Sequence, residues 1–336
     1  MNLYTVLQKL CRIPSISGRE EGVRACLAEL IAPYADEVKT DNLGNLIAVK
    51  RGTAPAETKK KLMLCAHMDE IGFLVTFIED NGMIRIAPVG GINFVANAFG
   101  YVISEKGVRG VLVPEGKTKP ADYATDKFFV DIGAKSRKDA ERKVRIGEFF
   151  VAEGNLHKLA GSRVAGRPLD DRIGCAVLLE TAEQIANKEL SCDVYYVFSV
   201  QEEVGCRGSM TSAFAVAPDY SLCFDVTGTG DIPGAGAMAC GIGKGAAVKL
   251  KDNSVICNEE VVTALCALAE EKKIAYQREI LLYGGTDTSS MQLMGTGSRA
   301  GALSIPSRYI HSGVEVCDLN DAKCCADLAV AFAETL

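Results

Sequence analysis

The chain has 336 residues, enough for one large domain or two ordinary ones. Hydrophobic residues make up 48% and charged residues 24%, a balance that excludes a disordered chain. The net charge of −6 gives no electrostatic basis for binding nucleic acid or an anionic membrane.

The opening segment MNLYTVLQKLCRIP lacks the basic and long apolar regions of a secretory leader, and no apolar run reaches the length of a spanning helix. A soluble cytoplasmic protein is therefore expected. Leu3 to Arg12 has helical spacing of apolar residues and is stopped by Pro14. A second amphipathic helix runs from about Arg19 to Tyr34, followed by a hairpin of Asp36 to Thr40 and Leu46 to Lys50. Leu62 to Cys65 is a buried strand that ends in Ala66-His67-Met68-Asp69-Glu70. Side chains alternate along a strand, so His67 and Asp69 point the same way, and a carboxylate there can take the ring's second N–H.

From Gly72 to about Gly161 short alternating runs punctuated by Gly and Pro predict a small β-rich unit. Its one helical stretch is Arg137 to Lys143, capped by Ser136. Polar clusters flank the unit on both sides, so the chain leaves a site, builds a second domain and returns. The return passes His157, read as structural or surface, and reaches Asp170-Asp171 before a helix from about Arg172 to Asn187. Simple helix capping is one reading of those two acids.

Val194 to Val200 is a buried strand ending in Gln201-Glu202-Glu203. Such a pair is compatible with a solvated loop, and equally with a metal cation that offsets two carboxylates at a buried strand end. A helix from about Gly208 to Val216 precedes the strand Tyr220 to Asp225, the third to end in a charged group. The Gly- and Ala-rich loop Gly228 to Gly245 does not open a helix after a strand, which rejects a dinucleotide site. Helices follow at Asn258 to Lys272 and Thr288 to Leu293, then strand residues Ala302 to Ile305 and Arg308 to His311, and a C-terminal helix from Asn320. Thirteen cysteines, an odd number without any CxxC, read as reduced core thiols.

Strands alternating with helices in the first 70 and last 170 residues predict an α/β domain with a helix-covered mixed sheet, largely parallel. Ligands collect at the carboxyl ends of such strands. His67, Asp170, Glu202, Glu203, Asp225 and His311 all fall there, and two imidazoles with several carboxylates and no thiolate suit one or two borderline divalent ions.

AHMDEIGF at 66–73, RPLDDRIG at 167–174, QEEVGCRG at 201–208, FDVT at 224–227, GGTDTSS at 284–290 and RYIHS at 308–312 together resemble the glutamyl aminopeptidase family of dinuclear metallopeptidases, which includes the tetrahedral aminopeptidases. The resemblance implies that His67, Asp170 and Asp225 hold one metal and Asp170, Glu203 and His311 the other, with Asp170 bridging. It implies two divalent ions, zinc or cobalt, with Glu202 as general base and Asp69 as the carboxylate behind His67. Residues 1–69 and 165–336 would form the catalytic domain. Residues 70–164 would be an inserted PDZ-like dimerisation domain in a homo-oligomer, dimer-based or dodecameric. Thr288, where the family often has Ala, and Gly313, where Pro is frequent, depart from the pattern without touching a ligand position.

The expected activity is hydrolysis of short peptides from the N-terminus. The alternatives are a deacylase or amidase of the related carboxypeptidase-like class, a non-catalytic binding protein on a dead peptidase scaffold, and an endoglucanase, a label some family members carry. The last needs two acids roughly 5 to 9.5 Å apart across a sugar, which adjacent Glu202 and Glu203 do not suggest.

Overall fold

The computed structural model describes residues 1–336. Helices α1 (Leu3–Leu10) and α2 (Glu21–Ile31) open the chain, and β1 (Glu37–Thr40) pairs antiparallel with β2 (Leu46–Lys50). Strand β3 (Lys61–His67) then leads into a separate unit. There β4 (Gly72–Ile78), β5 (Ile84–Val89), β6 (Tyr101–Ser104), β7 (Arg109–Pro114), β8 (Phe128–Asp131) and β9 (Phe149–Ala152) close a six-stranded barrel, with short helices α3 (Phe94–Asn97) and α4 (Arg137–Ala140). Phe73, Ile84, Phe128, Val130 and Phe150 fill the barrel with their inward side chains. The helix expected over Arg137 to Lys143 is a single turn; Ser136 caps it, accepting from the Asp139 N–H at 3.3 Å.

The chain returns to the first sheet through β10 (His157–Lys158) and β11 (Arg163–Gly166). Next come α5 (Arg172–Ile185), β12 (Asp193–Ser199), α6 (Arg207–Val216), β13 (Tyr220–Thr227), β14 (Ala246–Lys251), α7 (Glu259–Lys272), β15 (Tyr276–Ile280), α8 (Thr288–Leu293), β16 (Arg299–Arg308), β17 (Glu315–Asp318) and α9 (Leu319–Ala333). The large sheet has eleven strands, running β1-β2-β12-β3-β13-β16-β17-β11-β10, with β14 and β15 branching from β16. Parallel pairing is confined to its centre, β12-β3-β13-β16, and to β14-β15. The flanks are antiparallel, so the sheet is less parallel than its alternation of strands and helices suggests.

The central strands are apolar on both faces because helices cover both. Leu62, Leu64, Val194, Tyr196 and Phe198 pack toward α1, α2, α5, α7 and α9. Met63, Cys65, Val197 and Cys223 pack toward α6 and α8. Each large aliphatic or aromatic side chain buried this way contributes about 1.5–3 kcal/mol. All thirteen cysteines are free thiols; ten are buried, and Cys206, Cys266 and Cys324 are half-buried, outside the core that the sequence pattern predicts for them. No helix is long and apolar enough to cross a membrane.

Candidate metal centre

Four neighbouring strands deliver the site from their carboxyl ends. His67 is the last residue of β3, Glu202 and Glu203 follow β12, Asp225 lies near the end of β13, and His311 lies beyond β16. Asp170 comes from the turn between β11 and α5. All six line one cavity of about 630 Å³.

The two imidazoles face the same carboxylate. His67 Nε2 is 3.1 Å from Asp170 Oδ1, and His311 Nε2 is 3.2 Å from Asp170 Oδ2. His67 Nε2 also lies 3.9 Å from Asp225 Oδ1, and His311 Nε2 lies 3.3 Å from Glu203 Oε2. Two overlapping donor groups result, His67–Asp170–Asp225 and Asp170–Glu203–His311, each compact enough to hold one cation. A third group, Glu202–Cys206–Asp287, adjoins them, with the Cys206 thiol 3.3 Å from Glu202 Oε1.

Asp69 is wholly buried beneath His67. His67 Nδ1 is 3.1 Å from the Asp69 carbonyl oxygen and 3.4 Å from its carboxylate. That carboxylate also accepts the Glu202 N–H at 3.0 Å, the Glu203 N–H at 3.2 Å and the Ser17 hydroxyl at 2.6 Å. One acid thus orients the imidazole and anchors the loop bearing both glutamates.

Charge in the cluster is out of balance. Burial pushes the Glu202, Glu203 and Asp225 carboxyls above their ordinary range, and neighbouring carboxylates add to the effect. Burial alone would lower both histidines, but hydrogen bonds to Asp170 and its neighbours outweigh it, and His311 rises to about 11. Burial works against ionised Asp170, yet bonds from His311 and His67 hold it below the usual carboxylate range. Glu203 Oε1 is buried without any partner. An excess of buried carboxylate facing two imidazoles is a setting that a divalent cation discharges.

The structure corrects one strand end. Backbone pairing of β16 stops at Arg308, and Tyr309 and His311 adopt φ of 61° and 62°, so His311 sits in a turn rather than on a strand. The barrel helps hold it there. The Asn97 side-chain amide donates to the His311 carbonyl at 2.9 Å, and a Cβ at Gly91 would meet His311 Nδ1 at 3.3 Å. Of the two acids read as helix caps, Asp171 caps α5, accepting from the Gly174 N–H at 3.0 Å, while Asp170 turns to the histidines. His157 is exposed in β10.

Sequence reasoning missed the supports beneath the site. Glu315, 1% exposed, accepts the Leu169, Asp170 and His311 N–H groups at 2.6, 3.1 and 3.1 Å. Asp287 accepts the Ser199 and Ser209 hydroxyls behind Glu202. The one available signal was a lone acid in an apolar setting, Glu315 before Val316-Cys317.

Comparison with known proteins identifies the family. The family described as M42 glutamyl aminopeptidase matches residues 44–328. The lysyl aminopeptidase of Pyrococcus furiosus is 35% identical over 347 residues, covering 99% of this chain and 97% of that protein. The structure of aminopeptidase APDkam598 from the archaeon Desulfurococcus kamchatkensis superposes with a TM-score of 0.94 at 35% identity, covering 99% of this chain and 95% of that one. That of the Pyrococcus horikoshii TET1 peptidase superposes with a TM-score of 0.88 at 33% identity, covering 100% of each chain. With this sequence match across most of its length and a cavity that gathers imidazoles and carboxylates, the chain belongs to the M42 glutamyl aminopeptidase family.

Proposed function

We propose that the protein is a metal-dependent aminopeptidase that removes N-terminal residues from short peptides. One observation carries the reading: the Asp170 carboxylate is flanked on its two oxygens by the Nε2 atoms of His67 and His311, inside an open cavity. A carboxylate so placed suits a bridge between two cations.

The donors fit such a pair. His67, Asp170 and Asp225 would hold one divalent ion and Asp170, Glu203 and His311 the other, with the unpartnered Glu203 Oε1 available as a further donor. Imidazole and carboxylate without thiolate favour zinc or cobalt. When bound, such ions polarise the scissile carbonyl and make water more acidic. Asp69 fixes the His67 ring and is a positioning residue.

Glu202 belongs to neither of these two donor groups and lies 4.0 Å from His67 Nε2. Burial raises its carboxyl above the ordinary range, which suits a group that takes a proton from the attacking water and returns it to the leaving amine. The proton that Glu202 takes from water is the one the departing amine needs, so no other acid is required.

The barrel is read as an inserted PDZ-like assembly domain, with residues 70–164 in one unit and 1–69 with 165–336 in the other. Val95, Phe99 and Tyr101 stand 60–70% exposed on it, apolar side chains that an assembly contact would cover. The Pyrococcus horikoshii relative, described as assembling into a tetrahedron or a large octahedral shell, supports a homo-oligomer here as well.

The test is release of amino acids from aminoacyl-p-nitroanilides and short peptides by metal-free protein reloaded with zinc, cobalt or manganese. Cleavage that requires metal and a free α-amine is the expected outcome. Preference for N-acetylated substrates would replace this reading with a deacylase.

A further inference from the structure

Beside the donor groups the cavity is lined by Val226, Ile232, Leu281, Tyr283 and Ile310. Apart from the donor residues and Glu202, the only charged side chain that lines it is Arg308. Arg308 is already paired. Its Nε donates to Asp231 Oδ1 at 3.1 Å and its Nη2 to Asp231 Oδ2 at 2.7 Å, the two-pronged geometry in which guanidinium and carboxylate match best. The Ile242 N–H adds a further bond to Asp231 Oδ2 at 3.1 Å. The guanidinium holds the Asp231 carboxyl well below the usual range.

We infer that the cavity accepts a neutral, aliphatic side chain of leucine or methionine size at the peptide's N-terminal residue, and that the Asp231–Arg308 pair is the residue pair that sets this preference. The inference rests on the aminopeptidase reading above. An acidic side chain finds no unmatched cation here: Asp231 already balances the Arg308 charge through its Nε and Nη2, so a second carboxylate at the remaining Nη1 would add uncompensated negative charge. A lysine side chain finds no free carboxylate on this wall, because reaching Asp231 means displacing Arg308. Either charged side chain leaves this half-buried site with one charge in excess, whereas an alkyl chain covers the wall without disturbing the pair.

The experiment uses full-length protein loaded with zinc or cobalt and a panel of leucyl, methionyl, lysyl and glutamyl p-nitroanilides. Leucyl and methionyl substrates are expected to exceed the charged ones at least tenfold in kcat/KM. Asp231→Asn, which frees the guanidinium, should raise the glutamyl-to-leucyl ratio at least fivefold. Arg308→Leu, which frees the carboxylate, should raise the lysyl-to-leucyl ratio by a similar factor. Thermal melting establishes that both variants are folded. Calorimetry of free leucine, lysine and glutamate on the same loaded protein gives a readout independent of turnover, with leucine expected to bind tightest. Wild-type preference for a charged residue, or folded variants whose ratios do not move, would overturn the inference. If no p-nitroanilide is cleaved, the aminopeptidase reading falls, and leucine binding no tighter than lysine or glutamate overturns the pocket assignment separately.

Discussion

Glu315 holds His311 from below: its Oε1 accepts the His311 N–H at 3.1 Å, while its Oε2 accepts the Leu169 and Asp170 N–H groups. One buried carboxylate therefore sets the spacing between two loops that supply candidate metal donors. Replacing Glu315 with Ala should weaken zinc or cobalt binding by about 10–100-fold, the range found when supports of metal ligands are removed. Gln, with one acceptor oxygen, should fall between. Titration against a chromophoric chelator measures this, and unchanged affinity in the Ala variant would refute the role.

Glu202→Gln should keep its metal content and lose about 100- to 10,000-fold in kcat, because the amide cannot take up a proton. Metal analysis beside steady-state kinetics separates the two effects. Near-normal turnover would remove Glu202 as the base.

Glu20 accepts the Gly18 and Gln201 N–H groups at 2.7 and 3.1 Å, and burial, with the Asp69 charge, raises its carboxyl to about 7. The folded state then binds a proton that the unfolded state releases near pH 4.5. The sign follows: the ionised group is disfavoured on folding, so wild-type stability falls as pH rises through that window to 7. Glu20→Gln abolishes this titration, and the wild type should lose roughly 2–3 kcal/mol relative to the variant between pH 4.5 and 8. Urea unfolding of metal-free protein at the two pH values is the measurement; parallel pH profiles would contradict it.

Lys249 and Glu279 form a fully buried ion pair between β14 and β15, and the Thr227 hydroxyl donates to Glu279 at 2.8 Å. Lys249→Ala leaves the carboxylate unpaired and should destabilise by about 3–5 kcal/mol. A Lys249→Met, Glu279→Leu double variant should recover most of that loss in denaturant titrations, since apolar side chains of similar volume replace both charges.

Much of the candidate metal centre was legible along the chain because buried strands announce themselves. A β-branched and aromatic run such as Val194 to Phe198 has few alternatives to a central strand, and Glu202-Glu203 directly after it needs a reason to be there. His67 after β3 and Asp225 near the end of β13 repeat the pattern. Strand β14 escaped notice because AAVKLK mixes a fully buried lysine into its run, a residue whose partner Glu279 lies thirty residues on. β17 is four residues long and begins with a buried glutamate, so composition argues against it.

The sequence by itself determined the strand ends that carry charged groups, the β-rich unit between two polar clusters, and the absence of a disulfide framework. These follow from local periodicity and residue type, which operate over a few neighbours. Only the tertiary structure decided that Asp170 faces both histidines while Asp171 caps a helix, that His311 is turned inward by two left-handed residues and a barrel asparagine, and that Glu315 and Asp69 each anchor more than one loop. Adjacent residues with the same side chain diverge this way because a buried carboxylate's role is set by the partners within about 3 Å: Asp171 finds the Gly174 N–H three residues on, whereas Asp170 meets His67, 103 residues away in the chain, only once the sheet has formed.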